Sequence, residues 1–307
     1  MRHAPAAVLA WLGRQGTRAV AALIVLSIAM PWIGHLLKPF VTEAVFLLLC
    51  VAFVLVDAAA LRIYLRRPTI VLAATAWTSV VIPILFGASY RMLGLNDQSP
   101  DLFLALALQA IASPLMAAPA FAALMGLDAT LVLCTMVTST ALLPVTAPLL
   151  AYAFIGPALT LSPLTLGLKL FALLAGSAVV AFTVRRFAGA TAIERQKEAI
   201  NGFNILVLFV FVAAVMESVA ARLLATPMIT IGLAVLAFVV FFAVLCLTTL
   251  VFASAGLGRA LTVGFMASQR NVGLMLAASG GALPTSLGCT SPSPTSRSTC
   301  RRYCSSR

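Results

Sequence analysis

Apolar runs of about 20 residues follow one another along most of this chain, joined by short links. A run of that length crosses the hydrocarbon core of a bilayer as a helix, whereas a barrel strand needs only about 9–11 alternating residues. Within hydrocarbon each backbone N–H and C=O must find a partner inside the protein, so such runs fold as helices packed together. Composition agrees. Apolar residues make up 62%, charged residues 9%, and mean hydropathy is +1.11. A soluble domain carries about 25% charge, and this chain has too little polar surface to cover itself. It reads as an all-α, polytopic membrane helical bundle.

The runs place nine spans at 19–37, 44–62, 70–88, 101–125, 129–155, 164–184, 202–221, 226–253 and 259–281. Residues 1–18 form an N-terminal segment, 19–284 the transmembrane domain and 285–307 a polar tail. No stretch between spans is long enough for a soluble domain, so function must sit within the bilayer. A nucleotide-binding loop is absent, which excludes primary pumping by this chain. An embedded enzyme would need paired acids or a histidine motif. His3 and His35 lie near the start and Asp57 stands alone, so enzymatic activity is not expected.

The formal net charge is +12. In a soluble domain that balance would point to nucleic acid. Here the basic residues gather in alternate links, where they set topology and meet anionic lipid. Arg2, Arg14 and Arg18 precede the first span. Arg62, Arg66 and Arg67 follow the second, and Arg185, Arg186, Arg195 and Lys197 follow the sixth. The intervening links balance Lys38 with Glu43, and Arg91 with Asp97 and Asp101. The N-terminus is therefore expected in the cytoplasm, with the chain in a bacterial inner membrane. The first run continues past Pro31 to Leu37 without a cleavage site, which predicts a retained first helix rather than a signal peptide. Cys50, Cys134 and Cys246 lie inside apolar runs, and no Cys/His cluster supports a metal site.

Two spans carry interruptions. The fourth contains Ser113-Pro114 and then Ala117-Ala118-Pro119. Each proline removes a backbone donor and disfavours helix just before it. That predicts either a proline kink or a helix broken where it lines a polar cavity. The ninth contains Gln269, Arg270 and Asn271 in succession, flanked by Gly264 and Gly273. Arginine at bilayer depth costs roughly 3 kcal/mol on insertion scales and cannot shed its proton. Arg270 therefore needs a carboxylate, carbonyls or water. It either snorkels or pairs, with Asp57 or Glu217 as partner, or it serves function. The interrupted spans are five apart, the pattern of inverted five-helix repeats whose discontinuous helices cross at mid-membrane. Half-helix N-termini at such a crossing suit an anionic group.

The segment LDATLVLCTMVTSTALLPVTAPLL (127–150) carries Asp128 at a turn, a Ser139-Thr140 pair, and Pro144 and Pro148. With SQRNVGLMLAA (268–278), it resembles the bile acid:sodium symporter superfamily, as a divergent bacterial member. The resemblance rests on these two stretches and on the span count. It implies a ten-helix transporter with panel and core subdomains, moving organic anions by alternating access. On the transporter reading, Ser113, Ser139 and Thr140 are candidate lining hydroxyls, Gln269, Arg270 and Asn271 are expected to face the substrate, and Pro114, Pro119, Gly264 and Gly273 are expected at the helix breaks. Thr138, one residue off that pattern, is expected to pack.

Departures from the family pattern bear on coupling. The positions that would ligate sodium fall on Ala118, Pro119, Val132, Met136 and Met266, which supply almost no hard oxygen ligands. No cofactor is expected, and sodium coupling is not expected either. Arg270 would then supply fixed positive charge in place of the ion and pair with a substrate carboxylate. The related arsenite permeases use a cysteine at the fourth-helix break. This chain has Ser113-Pro114 there, leaving an arsenite-type efflux permease as the weaker alternative. A non-transporting membrane protein is a further one.

After Gly281 the character changes. Residues 285–307 are polar, with Cys289, Cys300 and Cys304 and no apolar run, where the resemblance implies a tenth helix. Two readings stand: a disordered Ser/Thr/Arg tail, or a shifted reading frame from the Pro284 codon. The second is preferred, because suitable codons let the alternative frame read as an apolar, aromatic-rich span. Sequencing the coding DNA through residue 307 checks this, and the expected result is one base gained or lost near that codon.

Overall fold

A computed structural model describes residues 4–56, 68–156 and 162–279. Asp57, Arg62, Arg66, Arg67 and the 285–307 tail lie outside the described residues. Among those described, the chain is helical throughout, with no named strand. Six helical segments are long and apolar enough to cross a membrane: Trp32–Leu55, Thr69–Met92, Ala129–Phe154, Pro163–Ala188, Lys197–Ala225 and Pro227–Val251. The chain is a membrane helical bundle.

Proline punctuates it. A proline needs no N–H at the first helical position and pushes the preceding residue out of the helical region. Pro31, Pro100, Pro163 and Pro227 all open helices, and Met30, Ser99, Ser162 and Thr226 before them are non-helical. The first expected span is corrected by this rule. Helices α1 (Ala4–Gln15) and α2 (Thr17–Ala29) precede a break at Met30, where φ is −126° and ψ 69°. Then α3 (Pro31–Leu37) runs through a 3₁₀ turn into α4 (Val41–Leu55). A continuous helical segment thus covers 32–55, and the break at Met30 falls inside the expected 19–37 run.

The third span is α5 (Thr69–Ala76), a π-helical turn (Trp77–Val81) and α6 (Ile82–Met92). A short α7 (Leu95–Gln98) leads to α8 (Pro100–Ile111) and α9 (Ala118–Leu124), the two halves of the fourth span. Next come α10 (Ala129–Phe154), α11 (Pro163–Ala188), α12 (Ala190–Arg195), α13 (Lys197–Ala225) and α14 (Pro227–Val251). The ninth span is α15 (Leu257–Ser268) and α16 (Val272–Ser279). Asp128 caps α10 by accepting from the Leu131 N–H at 3.0 Å, and Ser162 caps α11 through the Thr165 N–H at 3.2 Å.

Two apolar clusters carry the interior around these breaks. One joins Leu104, Ala107, Leu108, Ile111 and Ala112 of the fourth-span region to Leu143 and Ala147 of α10, Leu170 of α11, and Leu274 and Met275 of α16. The other joins Val71 and Ala74 of α5 to Ala118 and Ala122 of α9, Leu131 and Val132 of α10, and Val263 and Met266 of α15. In each interrupted span the first half belongs to one cluster and the second half to the other. Both breaks, with the part of α10 around residues 135–140, fall between the clusters.

Glycine sets the closest approach elsewhere. A Cβ on Gly202 of α13 would lie 1.8 Å from the Leu9 carbonyl oxygen, and one on Gly13 would lie 2.0 Å from that of Glu198. The backbones of α1 and α13 therefore touch, as small residues allow between helices in lipid. A Cβ on Gly232 in α14 meets nothing within 4 Å. Gly202→Val is expected to force α1 off α13 and to cost about 1–3 kcal/mol, lowering the thermal midpoint of the detergent-purified protein. Gly232→Ala is expected to raise it slightly, since alanine gains up to about 1 kcal/mol over glycine in a helix.

Candidate functional site

The break in the fourth span begins where Ala112 turns extended, with φ −57° and ψ 149°, two residues before Pro114. The ninth span breaks at Gln269, also extended, with φ −89° and ψ 109°. Each break leaves backbone groups that a helix would have satisfied, and the two breaks satisfy one another. The Leu115 N–H donates to the Gln269 carbonyl at 3.0 Å, and the Asn271 N–H donates to the Ser113 carbonyl at 2.7 Å. Pro114 and Arg270 face each other as a single antiparallel bridge. A proline suits this place because its missing N–H is not asked for there.

Asn271 has a second task. Its side-chain oxygen accepts the Leu274 N–H at 3.2 Å, which caps the first turn of α16. That oxygen is therefore committed to the fold. Gly264 and Gly273 lie inside α15 and α16 and do not form the break, which corrects their expected role. A Cβ on Gly264 would come within 2.5 Å of Thr249 Oγ1 and 2.9 Å of the Leu245 carbonyl, and one on Gly273 within 2.7 Å of the Phe211 ring. They let α14 and α13 approach the broken helices. Pro119 sits in the first turn of α9, where a proline starts a helix, and not in the gap itself.

Glu217, one of the two acids expected to pair with Arg270, bonds Lys38 Nζ instead, at 3.2 Å; Asp57, the other, lies outside the described residues. The guanidinium does not snorkel. Nη1 donates to the Thr78 carbonyl at 3.1 Å and to the Ala112 carbonyl at 2.9 Å. Both carbonyls are available for a local reason. Ala112 is the extended residue ending α8, so its carbonyl has left the helix ladder. Thr78 lies in the π turn, where Ile82 N–H reaches back five residues to the Trp77 carbonyl. The next donor in that register would be Pro83, which has none. The free Thr78 carbonyl then accepts from arginine. Trp77 anchors the turn by donating from Nε1 to Thr248 Oγ1 at 3.0 Å.

Guanidinium has five N–H donors, and Nη1 spends its two on these carbonyls. Nη2 is buried without a partner. Five hydroxyls share that state: Thr78, Ser113, Thr135, Ser139 and Thr140. Thr78 and Ser113 lie beside the carbonyl ligands of Arg270 or on them, and Thr135 and Ser139 are one turn apart on α10. Native interiors leave few buried polar atoms unpaired, and each such atom calls for an explanation. Thr138, by contrast, is fully engaged: its hydroxyl meets Thr75 Oγ1 at 2.6 Å and the carbonyls of Cys134 and Thr135 at 3.0 Å.

Of the residues expected at a site, Ser113, Pro114, Gln269, Arg270 and Asn271 meet at the paired breaks. Ser139 and Thr140 lie buried on α10 in the same interval between the apolar clusters. Sequence reasoning missed Thr78 and Thr135. For Thr78 a signal existed: Pro83 five residues downstream in an otherwise uninterrupted apolar run. Cys134 is buried in the apolar cluster beside α5 and α9. No group of His, Cys, Asp and Glu among the described residues could hold a metal. No protein-family model matches the chain, and no curated protein matches it.

Two substitutions separate fold from site. Asn271→Ala removes the cap of α16 and is expected to cost about 0.5–2 kcal/mol, read as a lower unfolding midpoint. Ser139→Ala deletes a hydroxyl that bonds nothing, so no partner is stranded. Its midpoint is expected to be unchanged or higher.

Proposed function

We propose that the chain is a secondary transporter of a small organic anion, working by alternating access in the bacterial inner membrane with its N-terminus in the cytoplasm. One observation carries the reading: Nη2 of a permanently charged guanidinium, buried and unpartnered, at the place where two interrupted helices meet. Among the described residues this guanidinium donates to carbonyls alone, and an anionic substrate would provide the counter-charge that a buried cation needs. Ser113, Ser139 and Thr140 would donate further hydrogen bonds to the anion.

The architecture supports this reading. The interrupted helices are those expected as the fourth and ninth spans, a spacing that inverted five-helix repeats would give, and transporter substrate sites lie where such helices cross. The resemblance to the bile acid:sodium symporter superfamily points the same way. Placement of the two apolar clusters on either side of the breaks fits a pair of gates around a central polar layer. Arg270 supplies the charge that an ion would otherwise bring, so sodium is dispensable. An arsenite permease is the weaker reading, because Cys134 is packed among apolar side chains and is remote in sequence from the Ser113-Pro114 break.

The test is uptake of labelled carboxylates and sulfonates into proteoliposomes holding the purified full-length chain. Uptake is expected with choline in place of sodium. Arg270→Gln is expected to abolish it, and Ser139→Ala to raise KM about fivefold or more while the unfolding midpoint holds, a loss of about 1 kcal/mol of binding. Strict dependence on sodium, or full activity in Arg270→Gln, would refute the reading.

A further inference from the structure

Arg270 also lines a crevice between α6, α8, α14 and α15. Its walls are apolar and aromatic: Ile82, Phe86 and Tyr90 from α6, and Val240 and Val244 from α14. Its polar members are Arg270, Gln109 and Ser268, all close to the two breaks. Phe86 and Tyr90 stand edge to face with centroids 5.9 Å apart, a rigid aromatic wall. Polar groups converge at one end and apolar walls make up the rest, which is the usual build of a small-molecule site.

We infer that this crevice receives the tail of a small, flat, aromatic monocarboxylate whose head is held by Arg270. The inference rests on the transport reading above and names its substrate class. The carboxylate takes the free Nη2 donors, and the Gln109 amide donates to one of its oxygens. The ring lies against Phe86 and Tyr90. Size argues for a flat tail. As it stands the crevice has room for about one water molecule, so an entering ring must move a wall. On α14 only Val244 and Thr248 are buried, so little of the described chain is packed behind that wall. Val240 and Val244 ride on that helix, and a small displacement of it opens a slot one ring thick. A bulky polycyclic tail would need α14 to leave Trp77, whose Nε1 donates to Thr248 of that helix.

The experiment compares labelled benzoate with labelled acetate in proteoliposomes of the full-length chain. Acetate shares the head and lacks the ring. Val244→Trp fills the slot and is expected to lower the benzoate-to-acetate uptake ratio at least about tenfold. A ratio that does not fall overturns the crevice while leaving the transport reading intact. Wild-type protein that takes up neither anion defeats the crevice as well. A second measurement needs no variant. Photolabelling the wild-type protein with an azidobenzoate, with excess benzoate as protectant, is expected to mark 82–90 or 240–244. Protected label found only on other helices, or no protected label, overturns the inference even if Val244→Trp fails to fold.

Discussion

Backbone carbonyls that have lost their helical donors cannot be left bare inside a bundle that sits in lipid. That constraint explains the centre of this protein. The Thr78 carbonyl is freed by a π turn ahead of a proline, and the Ala112 carbonyl by the extended start of the fourth-span break. One guanidinium nitrogen of Arg270 serves both. The same arginine sits in the backbone bridge that joins the two breaks. An expensive buried charge and two expensive buried carbonyls thus relieve one another.

The surplus at this centre is as informative as the pairing. Arginine brings more donors than the carbonyls use, and the neighbouring hydroxyls of Ser113, Thr135 and Ser139 bond nothing. A centre built for stability alone would be better served by apolar side chains of similar volume. Apolar clusters lie on both sides, one reaching Leu143 and Leu274 and another reaching Val132 and Met266. The polar layer between them is confined to the interval of the breaks. This confinement links packing to the proposed function, since a rocking bundle needs a polar core that its apolar flanks can close from either side.

Much of the fold was legible in the sequence. Hydrophobic run length anticipated the six long apolar helices among the described residues, and Pro100, Pro163 and Pro227 open helices where a proline should. The fourth and ninth spans broke at the residues whose chemistry demanded it. Pro31 is an exception: the run of apolar residues continues through it, but the helical backbone breaks at Met30. Gly264 and Gly273 were read as breakers because they flank the polar triplet, whereas each sits inside a helix and admits a neighbouring helix or ring. Asn271 was read as a substrate contact, and its side-chain oxygen turns out to cap α16.

The sequence by itself determined that this chain is a membrane bundle, because run length and charge scarcity leave no other way to satisfy the backbone and cover the surface. It also marked Arg270 as a residue needing partners, since its charge cannot be removed. Tertiary structure alone decided which partners. Thr78, Pro114 and Arg270 are far apart in sequence, and no local rule relates a π turn in one span to a guanidinium in another. Their meeting depends on how the broken helices pack, and packing among equally apolar surfaces is set by shape and by the few polar groups that must be paired.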